Sequence, residues 1–413
     1  MRMGRRPERA PPLIYQIGGV SMSGPILGIP RGEYDLRIEN VQRAMREKGI
    51  DLLVTHACGC ESATVRYLTN FWAVFDFVGV LVPAVGKPIL LTGGPESYDF
   101  AVQFAQIEDV RVHPMYVETG APEWDKPVNP WNFTMILDEL RARMPIKTIG
   151  IANVNTLPHV IYADIEKGAL DAAIVPAEDI VMERRVIKSN NEIRLIREAC
   201  RITEEAVKSA VAVAKPGMRE WELQAHWMGK IYEMGAEGTG YPVWVTSGPS
   251  TYQSLCKSTD RELAMNSMVQ LSLGAKYNGY CGNIGRALII GSLPERHMDM
   301  IRIAHDCMDE TIETMGPGVP FANVYDRFQQ RLKRHGLAGT SLYGPAHSTG
   351  LQECEDPWVD NRTGRILAPD MVFNIDIWIA DHTYGVRIED CVLVTETGLE
   401  QLTTWRREPI VIG

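Results

Sequence analysis

A chain of 413 residues exceeds the size at which one hydrophobic core keeps growing, so two domains are expected, and its 45% hydrophobic and 23% charged residues read as ordinary globular protein. The net charge of -10, from 42 basic and 52 acidic residues, lacks the basic excess that a phosphate backbone demands, which excludes nucleic acid as an expected partner. No apolar run approaches the roughly 18 residues needed to cross a bilayer, so no membrane partner is expected and the cytoplasm is the expected location.

Residues 1 to about 30, rich in Pro, Gly and Arg, read as an irregular arm lying on another surface. Tyr34 to Lys48 has helical apolar spacing, and Asp51 to Thr55 turns to a strand pattern. Strands are predicted at Phe77 to Val85, Pro88 to Thr92 and Thr148 to Ala152, with helices at Ala101 to Gln106 and Thr134 to Met144. This alternation describes an N-terminal α/β layer domain over residues 31–185. Ser189 and Glu192 stand at capping-box spacing, and Ile193, Ile196, Ala199, Cys200 and Ile202 give the stripe of a long helix opening the second domain, residues 186–413. Another helix opens after Pro216-Gly217, and strand-rich sequence runs from Val243. Helices follow at Glu295 to Glu313 and Asn323 to Arg334, then strands at Met371 to Ile379, Gly385 to Ile388 and Cys391 to Thr395. The eight cysteines are scattered apart from Cys58 and Cys60, which argues for reduced thiols, most of them buried small hydrophobes.

Five segments of the second half have the composition of a site built on sheet: Val269 to Gly274, Cys281 to Arg286, Tyr343 to Pro357 with His347, the strand holding Asp376, and Val386 to Asp390 with Glu389. A carboxylate inside an apolar strand is costly to bury unless something pairs with it, so Asp376 and Glu389 call for a partner. That partner is either each other, sharing a proton and separating into acid and base, or a structural arginine such as Arg387 or Arg286. His347 can carry a proton at neutral pH; its structural alternative is a loop histidine that holds backbone.

In order and spacing these segments resemble the pita-bread fold of creatinase and the Xaa-Pro peptidases, from about residue 30 onward. The resemblance implies an N-terminal domain of the creatinase type and a C-terminal pita-bread α+β catalytic domain, in a homodimer. It places the peptidases' metal-ligand positions on Ser272, Asn283, His347, Asp376 and Glu389. Two aspartates have thereby become neutral groups, and a pair of divalent ions would lack the anionic oxygen that holds it. A site without metal is therefore expected, with one divalent ion on His347, Asp376 and Glu389 as the alternative. Creatinase cleaves a C–N bond without metal, but its base and glutamate fall here on Leu255 and Gly285, neither of which moves a proton.

The expectation is thus a creatinase-like, metal-independent hydrolase of a C–N bond in a small nitrogenous substrate, with His347, Asp376 and Glu389 catalytic. Its rivals are an Xaa-Pro dipeptidase or aminopeptidase with one metal ion and an inactive ligand-binding homologue. Substrate contacts are expected from Ser272, Asn283, Arg387, Cys256 beside Lys257, and Cys354 with its acidic neighbours, Glu355 among them. By the resemblance, Phe75 and Asp76 face substrate from the N-terminal domain. Aromatic rings with a carboxylate suit a cationic ligand, while the structural alternative is a core strand with Asp76 in a turn.

Overall fold

The structure, a computed structural model, describes residues 28–118, 120, 129–242 and 244–413. The first 27 residues of the expected arm, and Val243, lie outside them. The first half runs α1 (Arg31–Glu47), β1 (Leu52–Ala57), α2 (Ala63–Thr69), β2 (Val78–Pro83), β3 (Ile89–Thr92), α3 (Pro95–Phe104), β4 (Asp109–Val112), α4 (Phe133–Arg141), β5 (Thr148–Ile151), α5 (His159–Ala169), β6 (Ala173–Pro176) and α6 (Asp179–Val186). The six strands form one mixed sheet in the order β4-β3-β2-β1-β5-β6. Strand β1 is buried on both faces and divides its side chains as the pleat dictates. Leu53 joins the core shared with Val41 and Met45 of α1 and Leu68 of α2. Leu52 and Val54 join the core under α4 and α5 with Ile136, Leu137 and Ile161. The result is an α/β layer with helices on both faces.

The second half runs α7 (Asn190–Val213), α8 (Glu220–Glu233), β7 (Gly238–Thr239), β8 (Trp244–Ser247), β9 (Ser267–Tyr277), β10 (Tyr280–Ile290), α9 (Glu295–Thr314), α10 (Phe321–Arg334), β11 (Ala346–Ser348), β12 (Glu355–Trp358), β13 (Val372–Asp381), β14 (Tyr384–Val394), β15 (Leu399–Gln401) and β16 (Ile410–Ile412). Ser189 accepts from the Glu192 N–H and the Glu192 carboxylate accepts from the Ser189 N–H, so the capping box starts α7 where the spacing predicts. The ten strands form one sheet with the backbone path β12-β11-β13-β14-β10-β9-β7.

Two expected strands, Gly385 to Ile388 and Cys391 to Thr395, are one strand, β14, every residue of which is buried. Glu389 and Asp390 read as an interruption because charge is rare inside a strand, yet Asp390 is paired with Arg286 at 2.7 Å and Glu389 lies in the site described below. On β13, Phe373, Ile375, Ile377 and Ile379 pack in the core with α9 and α10. On β9, Val269, Leu271 and Leu273 pack in the core with α7 and α8. The alternate residues Asn374 and Asp376 of β13 and Gln270 and Ser272 of β9 therefore turn to the opposite face.

The junction of β10 with β14 is short, with only Ile284 opposite Asp390 and Gly285 opposite Glu389. Beside it Gln270 reaches across from β9. Its amide nitrogen donates to the carbonyls of Arg286 (3.1 Å) and Arg387 (2.8 Å), and its oxygen accepts from the Arg387 N–H (2.9 Å). Among the described residues no helix is long and apolar enough to cross a membrane.

Candidate active site

Strand register assembles the site. Ser272 on β9 is opposite Gly285 on β10, Gly285 is opposite Glu389 on β14, and Glu389 is opposite Asp376 on β13. These four positions form one transverse row. Period-two alternation puts Asn283 on the face of Gly285, and Asn374 on the face of Asp376. Asn374 is in turn opposite His347 on β11. Gly285 carries no side chain for a steric reason: a Cβ there would meet the Glu389 Cβ and backbone nitrogen at 2.9 Å.

The ligand atoms of His347, Glu353 and Glu389 lie within 4.8 Å of one another, the one such group of three found among the described residues. Asn283 donates from its amide nitrogen to Glu353 (2.6 Å) and to Glu389 (3.3 Å). His347 Nε2 stands 3.5 Å from the Glu353 carboxylate. Its Nδ1 lies 3.0 Å from the Ser348 carbonyl, and because a carbonyl only accepts, Nδ1 carries the hydrogen and Nε2 faces the carboxylates. Asp376 is engaged elsewhere, with Arg387 Nε 3.0 Å from its Oδ1, and the same guanidinium donates to the Tyr343 hydroxyl. Near this arginine a narrow pocket is lined by Trp244, Cys256, Gln270, Ser272 and Trp378.

Burial and like charge make the cluster hold protons. Glu389 is raised well above the usual carboxyl value, first by burial and then by the Asp376 and Glu353 carboxylates. Glu353 is raised too, by burial and Asp376. Burial works against a charged His347, but Glu353, Cys354 and Glu389 overcome it and lift the imidazole well above its ordinary 6.5. A buried group of carboxylates that retains protons can exchange them for a cation.

The donor set decides which cation fits. His347, Glu353 and Glu389 supply one imidazole nitrogen and two carboxylates, a set suited to one divalent ion. A second ion does not fit, because Ser272 offers no charge and Asp376 is held by the Arg387 guanidinium. The expectation of a metal-free site counted Asp376 and Glu389 and took Glu353 only as an acidic neighbour of Cys354. The structure instead brings Glu353 to the corner where Asp376 was expected. No periodicity marks it, since it lies in the loop between β11 and β12. The available signal was the acidic run Glu353, Glu355 and Asp356.

Other expected contacts are placed differently. Glu355 faces away from the cluster and pairs with Arg185 at 2.5 Å, with Lys188 at 3.6 Å. Asp76 is buried, and its oxygens accept from the Gly94 N–H, the Ser97 hydroxyl and the Glu118 N–H. That is the turn role left open in the sequence, and it gives no support to a cationic ligand. Phe75 is 78% exposed. Cys256 borders the pocket, and burial raises its thiol, which leaves it a poor nucleophile. Arg286 serves the fold, donating to the Glu389 backbone carbonyl (2.9 Å) besides its pairing with Asp390.

Residues 37–187 match the Creatinase/Prolidase N-terminal domain, and residues 194–396 match Metallopeptidase family M24. Over 276 residues the chain is 28% identical to an Xaa-Pro dipeptidase of Pyrococcus horikoshii, a match covering 66% of this chain and 78% of that protein. Over 380 residues it is 24% identical to an uncharacterized peptidase of Bacillus subtilis, covering 91% and 100% respectively. The fold is similar to the crystal structure of the prolidase from Pyrococcus horikoshii OT3, with a TM-score of 0.77 at 23% identity over 91% of this chain and 100% of that one.

Proposed function

Because the chain belongs to the creatinase and Xaa-Pro peptidase family, its two halves matching the Creatinase/Prolidase N-terminal domain and Metallopeptidase family M24, we propose that it hydrolyses a C–N bond in a small peptide-like substrate at a site for one divalent ion. The observation that carries this reading is the convergence of His347, Glu353 and Glu389 within 4.8 Å. A bound ion supplies Lewis-acid polarisation of a carbonyl or of water. The chain's own groups do the rest. The Ser348 carbonyl fixes the His347 ring so that Nε2 faces the site. Asn283 orients both carboxylates by donating to each. Glu353 and Glu389 would release the protons they otherwise hold on taking up the ion, and Arg387, kept charged beside Asp376, lines the adjoining pocket where a substrate carboxylate can be received.

Elemental analysis of the purified protein, together with turnover of Xaa-Pro dipeptides before and after chelation, tests this reading. Close to one divalent ion per chain and chelator-sensitive cleavage are expected. Two ions per chain, or metal affinity unchanged in Glu353→Gln, would overturn it. The metal-independent reading keeps one observation in its favour, the engagement of Asp376 by Arg387. It predicts turnover that survives chelation.

A further inference from the structure

The sequence singles out Cys58 and Cys60, and the proposed chemistry uses neither. The segment Cys58-Gly59-Cys60-Glu61 is a tight turn closed by two backbone bonds, Cys58 N–H to the Glu61 carbonyl (3.0 Å) and Glu61 N–H to the Cys58 carbonyl (3.1 Å). This closure places the two sulfurs 3.0 Å apart. Cys60 is exposed and Cys58 half-buried, so a small reagent reaches the pair. Nothing lies within 4 Å of the position a Gly59 Cβ would take, which leaves room for the turn to adjust. Cys200, Cys281, Cys307 and Cys391 are buried.

We propose that Cys58 and Cys60 form a redox-active dithiol site that takes a small-molecule disulfide as oxidant and closes to an intramolecular disulfide. Cys60, the more exposed, attacks one sulfur of the oxidant as a thiolate after losing its proton to solvent, and one thiolate leaves. Cys58, also as a thiolate, then attacks the Cys60 sulfur of the mixed disulfide and releases the second thiolate. The two thiolates take up the two protons. Two protein thiols are oxidised by two electrons, and one disulfide is reduced to two thiols. The Cys60 thiol is raised by its contact with Cys58, which keeps its thiolate scarce at neutral pH, so the exchange is slow there and accelerates as pH rises.

The turn also reaches the proposed active site. The Glu61 carboxylate accepts from the Gln352 side chain, and Gln352 precedes Glu353. Forming the bond draws the sulfurs together by about 1 Å, which moves the turn that holds Glu61. This coupling rests on the proposed active site; the dithiol chemistry does not.

The experiment treats the purified full chain with excess oxidised glutathione and reads free thiols and intact mass. Two of the eight thiols should disappear with the loss of two hydrogens. The new bond should map to Cys58 and Cys60, and reductant should reverse it. Cys60→Ser should form only a mixed disulfide at Cys58. Retention of all the thiols, closure between other cysteines, or mixed disulfides in the unaltered chain that never close would overturn the proposal. Hydrogen exchange in the segment 350–355 should differ between the oxidised and reduced forms. Equal rates would overturn the coupling and leave the thiol result standing.

Discussion

Glu353, not Asp376, stands beside His347 and Glu389. Its carboxylate accepts from Asn283 and faces His347 Nε2, while Asp376 neutralises Arg387 across 3.0 Å. Replacing His347 by Ala removes the cluster's only imidazole nitrogen donor. Turnover should fall by ~10²–10⁴-fold with circular dichroism unchanged. Glu353→Gln keeps the shape and deletes a charge, and metal affinity should weaken by about 10-fold or more, read by competition with a chromophoric chelator. His347, Asp376 and Glu389 are legible in the sequence because charge inside apolar strands and histidine in a small-residue loop are uncommon. Glu353 is not, since a loop residue has no repeat to betray its direction. Nor is the fate of Asp376, because its neighbour is chosen by sheet register: Trp378, not Asp376, is directly opposite Arg387.

Helix α7 and strand β10 show what local pattern conveys and what it leaves out. The capping box and apolar stripe announce α7, but the glycine facing it carries no periodic signal. A Cβ on Gly282 would meet the Cys200 backbone nitrogen at 2.4 Å and the Ala199 carbonyl carbon at 2.8 Å, while the Thr203 hydroxyl donates to the Gly282 carbonyl at 2.6 Å. Backbone cannot retreat as a flexible side chain can, so Gly282→Ala should cost about 1–3 kcal/mol, measured by urea denaturation. Gly285 answers to the same rule against β14, and this explains a residue that sequence comparison alone reads as a lost catalytic group. Strand β14 was legible only in two pieces because pattern treats Glu389 and Asp390 as surface. Three-dimensional pairing reverses that judgement. Short edge strands such as β12 and β16 were not legible at all, since three or four residues give no period.

Buried ion pairs fasten the two halves of the chain. Arg66 makes a bidentate pair with Glu237 at 2.5 and 2.7 Å. Arg37 lies 3.5 Å from Glu192, and Arg185 with Lys188 encloses Glu355. Removing one partner of a buried pair leaves the other uncompensated, so Glu355→Gln should lose about 3–5 kcal/mol at neutral pH. Burial opposes the Glu355 charge, but Arg185 and Lys188 outweigh it and hold the carboxyl below its ordinary 4.5. A carboxyl depressed on folding contributes stability in full above its unfolded value and loses it as pH falls through the folded one. The difference in Tm between the parent and Glu355→Gln should therefore be widest near neutrality and shrink below about pH 4.5. A constant difference down to strong acid would contradict the assignment.

Gln270 gives the large sheet a suture made from a side chain. Where β10 and β14 part company, one amide completes three hydrogen bonds that a continuous ladder would have supplied from backbone. Gln270 thus ties β9 to β10 and β14 at the place where the backbone pairing of β10 with β14 ends. A shorter asparagine would leave the stitch undone, and a carboxylate could not donate to the two carbonyls. A neutral side chain thereby holds together three strands that the backbone ladder leaves partly unjoined.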